Sequence, residues 1–484
     1  MPLALYPEQS RVILDEWFVA VTSNWGVIYI ALGIFSLVFL LWLALGRHGQ
    51  VLLAHAPDDP PRFSTFGWSS MLFCGGIGTS VMYWGTVEWA YYFQDPPFAL
   101  ESQSAAALDW ALAYPIFHWG VFGWAFYCLP GVAMGYMFYH GRSNALRLST
   151  TCENYLPGVF RKPLMGGLDL LFVVGLLGAS STGFGLGIPM ISALIADLAG
   201  WPLDSLTWRM DVIVIAIITA LFVGSTWLGL EKGIKRLSEL NIWGAIAIMV
   251  FVFLFGPTLF IAERSIETSG FLLQNFLRMS TYADSERVAS FVESWTVFYW
   301  AWWLALGPFM GVFIAKISEG RTLKQVILGC LLWGTLGCAL FFLVLGGFAA
   351  HLHLQGEMDV LASITARGAP VTIVSVLGYL PLATLAVTAF LLVCVIFAAT
   401  SYDSISYALA TAVSKNLGTE QEPGTAHRIF WAVSLAMLPL VLIYVGGLRT
   451  LQAVVTLASV PLVAVFLLLA WMLWRELGRD NRME

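Results

Sequence analysis

Two groups of side chains in this sequence have types and spacings suited to chemistry. The first is aromatic. Trp119 and Trp124 lie inside the apolar run FHWGVFGWAFY, and Trp302 and Trp303 lie midway along WTVFYWAWWLALGPFMG. Tyr127 follows Trp119 by eight residues, about two helical turns, so the two share a face. Trp124 and Tyr127, three apart, are neighbours on a helix. Rings gathered in this way cage a cation that has no hydrogen bonds to donate. Their quadrupoles attract the charge and their bulk excludes water, at ~0.5–2 kcal/mol per contact. A quaternary ammonium group suits such a cage, whereas ordinary ring packing between helices is the plainer reading of the same pattern.

The second group is a set of hydroxyls. FAATSYDSISYALA, residues 397–410, carries Thr400, Ser401, Asp403, Ser404 and Ser406. Hydroxyls in membrane helices often bond back to their own turn or across to a neighbour. They also offer neutral oxygens to a dehydrated sodium ion when unwound carbonyls lie opposite. CGGIGTS, residues 74–80, is where a chain can unwind, because Gly75, Gly76 and Gly78 tolerate non-helical backbone. Its alternative is a small-residue packing face. Glu88, Asp169 and Asp403 are acids within apolar runs and are costly there unless paired or beside water. Pairing near a helix end is the expectation for them, and a proton relay the alternative. His118 reads as a hydrogen-bonded packing residue, with no second metal ligand at useful spacing.

These residues sit in an apolar frame. Of 484 residues, 59% are hydrophobic and 11% are charged, against about 25% charged in a soluble domain. A water-facing surface needs more charge than this, which excludes a soluble enzyme, a disordered chain and a nucleic-acid binder. The six cysteines form no CxxC pair. A bilayer needs about 20 apolar residues per helix. Eleven such runs occur, near 26–46, 66–92, 108–139, 167–197, 209–230, 237–262, 293–316, 325–350, 380–412, 427–446 and 451–474. With the C-terminus in the cytoplasm, most of the 24 Lys and Arg fall inside, including Arg142/Arg147/Arg161/Lys162, Lys232/Lys235/Arg236 and Lys316/Arg321/Lys324. The N-terminus is then outside, with no cleavable signal peptide.

Residues 10–23 read as a short amphipathic helix before the first span, and 270–280 as an interfacial helix. The glycines of the second span and Gly307-Pro308 of the seventh invite breaks at matching positions. That spacing points to an inverted-repeat transporter with a midplane site. The expected organisation is an N-terminal segment 1–25, a peripheral span 26–46, repeat 1 over 66–262, an interfacial region 263–292, repeat 2 over 293–475 and a short tail 476–484.

At this point the sequence resembles the betaine/choline/carnitine transporters over nearly its whole length. The most specific segments are WTVFYWAWW and PFMGVFIAKISEGRT, with FSTFGWSSMLFCGGIG, FHWGVFGWAFY, GLEKGIKRLS (229–238) and TSYDSISY in the same order. The resemblance implies an all-α polytopic membrane protein with a LeuT-like core of two inverted five-helix repeats, usually trimeric. It implies secondary transport of trimethylammonium-type solutes by alternating access. Trp119, Trp124, Tyr127 and Trp303 match the family's aromatic box, and Trp302 lines it. Thr400 and Ser401 match the hydroxyl ligands of its main sodium site, and the backbone carbonyls of Cys74, Ile77 and Phe397 match the rest.

Several positions depart from the family pattern. Its first helix is absent, leaving about eleven spans. Ser80 replaces the last glycine of the sodium-coupled branch. YWGTVEWAYYFQDPPF (83–98) looks like the carnitine-exchanger branch, but Asn241 stands where that branch has an arginine, and Ser401 keeps its hydroxyl. These two positions favour sodium coupling. A second sodium site looks incomplete, with Ser180 present but Leu176 in place of the other hydroxyl. Leu306 replaces a further aromatic. The short C-terminal tail speaks against osmotic regulation of the kind a long basic tail provides.

The leading expectation is a multi-pass inner-membrane symporter of betaine-type solutes, with sodium as coupling ion and no other cofactor. Its partners are the solute, the lipid bilayer and two further copies in a homotrimer, with no nucleic acid. Sodium-independent exchange of carnitine-like compounds is the runner-up, and a sulfonium analogue would satisfy the same cage. An enzyme would need a nucleophile–base pair or a metal cluster, and the seven histidines form none with acids or cysteines. A receptor that binds without flux is the remaining alternative.

Overall fold

The structure is a computed structural model. It describes residues 5–56, 59–75, 78–203, 206, 208–227, 231–414 and 423–480, without the side chains of 222, 225–227 and 231–240. Most of GLEKGIKRLS, including the cluster Lys232/Lys235/Arg236, therefore lies outside the described side chains, and Ile77 lies outside the described residues. The chain is helical because a backbone in hydrocarbon must satisfy its own hydrogen bonds. In order the main helices are α1 (Pro7–Leu45), α2 (Thr65–Gly75), α3 (Thr79–Gln94), α4 (Ala105–His118), α5 (Val121–Tyr139), α6 (Arg161–Leu198), α7 (Trp208–Trp227), α8 (Glu231–Phe255) and α9 (Thr258–Thr281). They continue as α10 (Val292–Ile317), α11 (Leu323–Leu354), α12 (Ala383–Val413), α13 (Thr425–Ser459) and α14 (Leu462–Asp480).

Among the described residues, seven of these helical stretches are long and apolar enough to cross a membrane unaided: α1, α4 with α5, α6, α10, α11, α12 and α13. The other four expected crossings coincide with α2 and α3, α7, α8 and α14.

Three boundaries differ from the sequence reading, each for a local reason. No separate amphipathic helix precedes the first span. Residues 8–25 contain neither glycine nor proline, so α1 runs unbroken for 39 residues. Nor does the sixth span reach residue 262. Gly256 and Pro257 interrupt it, and α9 leaves α8 at 110°. Pro257 has no N–H to continue the ladder. The expected interfacial helix thus begins at Thr258, and its Leu259, Ile266, Leu273 and Leu277 are exposed.

The third difference is the seventh span. It does not break at Gly307-Pro308; α10 is helical through Pro308. Its neighbour α5 grips it there. An added Cβ on Gly307 would lie 2.4 Å from the Phe466 ring and 3.0 Å from the Phe126 carbonyl. Pro130 packs against Gly311, and Ile314 against Gly131. Packing on both sides of Pro308 keeps the helix unbroken despite the missing donor.

The breaks lie elsewhere. In span two, α2 ends at Gly75 and α3 starts after Gly78, whose backbone is extended. Span three also breaks. Trp119 leaves helical geometry with ψ 3°, and Gly120 follows at φ −90°, ψ −144°. In α13 the axis turns at Gly446 and Gly447, the latter at φ +63°. That turn falls at the expected boundary between the last two spans.

A small clasp ties the start of α2 to the end of α10. β1 (Leu52–Leu53) pairs antiparallel with β2 (Arg321–Thr322). Trp68 donates its indole N–H to the Ser318 hydroxyl at 3.0 Å, and the Arg321 guanidinium lies 4.2 Å from the Trp68 ring. The SEGRT segment serves this clasp.

Candidate solute and ion site

The breaks in spans two and three and the mid-part of α10 meet around a cavity of about 190 Å³. Trp119, Tyr127, Trp302 and Trp303 line it, with Ser80 and Ser180 as nearby hydroxyls. Trp119 is placed by the break between α4 and α5, and Tyr127 by two turns of α5. Tyr127 meets Trp303 at 4.6 Å between centroids, and Trp119 meets Trp303 at 5.5 Å and Trp302 at 5.8 Å, all edge to face. Trp302 is pinned by donating to the Ala179 carbonyl at 3.0 Å. Trp303 lies on Gly123, where a Cβ would come within 2.5 Å of the indole.

Trp124 stands apart from the sequence reading. It is fully buried and does not line the cavity. Its indole fills the space over Gly334 and backs Tyr127 at 5.6 Å and Trp303 at 6.5 Å. It buttresses the box from behind, in the space that Gly334 of α11 leaves by having no side chain.

A second cavity of about 690 Å³ adjoins the first, sharing Gly75, Phe309, Met310, Ser401 and Ile405 with it. Arg147, Asp169, Lys316 and Asp403 line it, which is the side that the basic clusters assign to the cytoplasm. On the other side of the site two hydrogen bonds tie neighbouring elements together. Thr182 donates to the Leu451 carbonyl at 3.2 Å, and Gln452 to the Ser294 carbonyl at 3.1 Å, at the far end of α10. Among the described residues, charged side chains thus line the second cavity and not the first.

Thr400, Ser401, Phe397 and Cys74 all line this second cavity, and Ser401 lines both. The Thr400 hydroxyl donates to the carbonyls of Ile396 and Phe397 at 3.0 and 3.1 Å. Hydroxyls on α12 thus face the end of α2 across open space, and Ile77 lies outside the described residues. Such neutral oxygens suit a weakly charged hard cation better than a transition metal. No group of three His, Cys, Asp or Glu side chains able to hold a metal occurs among the described residues.

The apolar-run acids are paired. Asp169 meets Arg147 at 2.5 Å and Asp403 meets Arg428 at 2.7 Å, each more than two turns from the end of its helix. Glu88 is different. It accepts from Tyr92, Tyr299 and Trp119 at 2.6, 2.7 and 3.1 Å. His118 is buried between the Tyr92 and Thr296 hydroxyls, as its packing role requires. The Ser180 hydroxyl donates back to Leu176. Tyr299, and the link from Glu88 to the box, escaped the sequence reading; the spacing of Glu88 and Tyr92, one turn apart, was the available signal.

Residues 1–482 match the family model described as BCCT, betaine/carnitine/choline family transporter. A carnitine transporter of Acinetobacter baumannii is 30% identical over 480 residues, covering 99% of this chain and 86% of that protein. The uncharacterized transporter YeaV of Escherichia coli is 33% identical over 430 residues, 88% of each chain. A solved outward-open, substrate-bound Na+-coupled sialic acid symporter overlaps 91% of this chain and 85% of its own, at 11% identity and a TM-score of 0.45. At that score the likeness bears on neither coupling nor substrate.

Proposed function

The chain belongs to the betaine/carnitine/choline transporter family, and on that premise we propose that it carries betaine-type quaternary ammonium solutes by alternating access, coupled to sodium. Its family and its relatives are transporters, not enzymes. The observation that carries the reading is the cavity of about 190 Å³ walled by Trp119, Tyr127, Trp302 and Trp303 and joined through Ser401 to the Thr400 hydroxyl region. A trimethylammonium group has no N–H, so rings bind it where carboxylates and water compete poorly. The solute's carboxylate would face the exposed amides after Gly78. Sodium would sit between Ser401, Thr400 and the end of α2, so solute and ion would share one junction. Loss of either would leave that junction incomplete, which is the physical basis of coupling.

The opening beside Arg147 and Lys316 supports an inward-facing arrangement in the inner membrane, with the C-terminus in the cytoplasm. A homotrimer, as the family resemblance implies, is part of the proposal.

Uptake of labelled glycine betaine into proteoliposomes, with and without an inward sodium gradient, tests the proposal. Accumulation that requires the gradient is the expected result. Uptake that requires preloaded solute but no sodium overturns symport in favour of exchange. That second reading has its own support in the 30% identical carnitine transporter and in YWGTVEWAYYFQDPPF. Competition with dimethylsulfoniopropionate tests whether a sulfonium head fits the same cage.

A further inference from the structure

Glu88 lies one ring behind the cavity and is fully buried. Tyr92, one turn further along α3, donates to Oε1 at 2.6 Å. Tyr299 of α10 donates to Oε2 at 2.7 Å, and the Trp119 indole N–H to the same oxygen at 3.1 Å. His118 extends the network, with Nδ1 2.9 Å from the Tyr92 hydroxyl and Nε2 3.1 Å from the Thr296 hydroxyl. Its ring stacks on Tyr299 at 4.8 Å. Three donors from three spans thus converge on two oxygens, and an indole N–H can only donate. Among the described residues no lysine or arginine forms an ion pair with Glu88, and its nearest basic neighbour is His118 at 3.9 Å. A buried carboxylate without a cation is expensive. Trp119, which holds it, also lines the cavity.

The geometry points to Glu88 as the counter-charge and positioning residue of the aromatic cage. In this role the carboxylate is ionised, kept so against the cost of burial by its three donors, and it grips the Trp119 N–H through the stronger kind of hydrogen bond that an ionised acceptor makes. That bond draws electron density into the indole and sharpens the ring's attraction for a cation. The carboxylate also sets a negative charge one ring away in a low-dielectric interior, where its field reaches the cavity weakly screened. A bound quaternary ammonium then completes an ion pair with Trp119 between the partners. This inference rests on the box reading made above.

A merely structural acid would hold Trp119 for any ligand alike, so the test separates charge from shape. Glycine betaine and its carbon isostere 3,3-dimethylbutanoate differ only in the charged nitrogen. Both are titrated onto purified protein in nanodiscs and followed by tryptophan fluorescence. Glu88→Gln should weaken glycine betaine at least about tenfold, or ~1.4 kcal/mol, and move the isostere by less than about threefold. Equal loss for both ligands, or no loss for either, overturns the inference. Tyr299→Phe removes a neutral donor and leaves the charge. Its preference for betaine over the isostere should stay within about twofold of wild type, and a collapsed preference overturns the inference even if Glu88→Gln does not fold. A wild-type protein that prefers neither ligand sinks the box reading itself. Wild-type preference that survives Glu88→Gln sinks only the role of Glu88.

Discussion

Trp303 touches more of the box than any of its other rings. It meets Tyr127, Trp119 and Trp124, and its indole rests on Gly123. Trp303→Leu should weaken a trimethylammonium solute about tenfold, since one cation–π contact is worth ~0.5–2 kcal/mol and the neighbouring rings lose their partner. Binding titration checks this, and unchanged affinity would place the solute elsewhere. At the ion junction, Thr400→Ala and Ser401→Ala should each raise the sodium concentration for half-maximal uptake several-fold while leaving the protein folded. Among the described residues Thr400's hydroxyl bonds to carbonyls of its own helix, so its removal leaves no partner there stranded. An unchanged sodium requirement would favour the exchanger reading. Residue types alone named the rings, because few side chains suit a cation without N–H groups. They did not reveal that Trp124 faces away from the cavity, since that depends on how closely α11 approaches α5.

At the scale of elements, the site depends on where helices stop. The break between α2 and α3 was readable from three clustered glycines, whose backbone freedom is local. The break that places Trp119 was not, because one glycine in an apolar run usually stays helical. Pro115 weakens the preceding turn, and Gly120 then leaves the helix with its Cα against the Ile116 carbonyl. A Cβ there would sit 2.4 Å from that oxygen. Gly120→Ala should therefore cost about 1–3 kcal/mol as an overpacked site and displace Trp119. A lowered melting temperature together with weaker solute binding is the expected pair of results; full affinity at wild-type stability would show the break to be incidental. The unbroken α10 is the converse case. Pro308 alone argues for a break, and close packing against α5 and α14 overrides it.

At the scale of the whole molecule, the proposed inward-facing arrangement puts the cavity lined by Arg147 and Lys316 towards the cytoplasm, with the Thr182–Leu451 and Gln452–Ser294 hydrogen bonds on the far side. Cys74 lines the open cavity and the other five cysteines are buried. A membrane-impermeant maleimide should modify Cys74 from the C-terminal side, with sodium and solute together slowing the reaction several-fold. Cys74→Ser should abolish labelling. Faster labelling from the opposite side would reverse the assigned orientation.

The sequence by itself determined the membrane class, the approximate spans, the family and the identity of the rings and hydroxyls. These follow from composition, run length and local motif, which the chain carries whatever its neighbours are. Tertiary structure decided which rings face the cavity, which proline leaves its helix unbroken, where the charged residues gather and what Glu88 holds. Each of those depends on contacts between residues tens to hundreds of positions apart, such as Glu88 with Tyr299 or Trp124 with Gly334. Spacing along one helix carries no record of the distance to another.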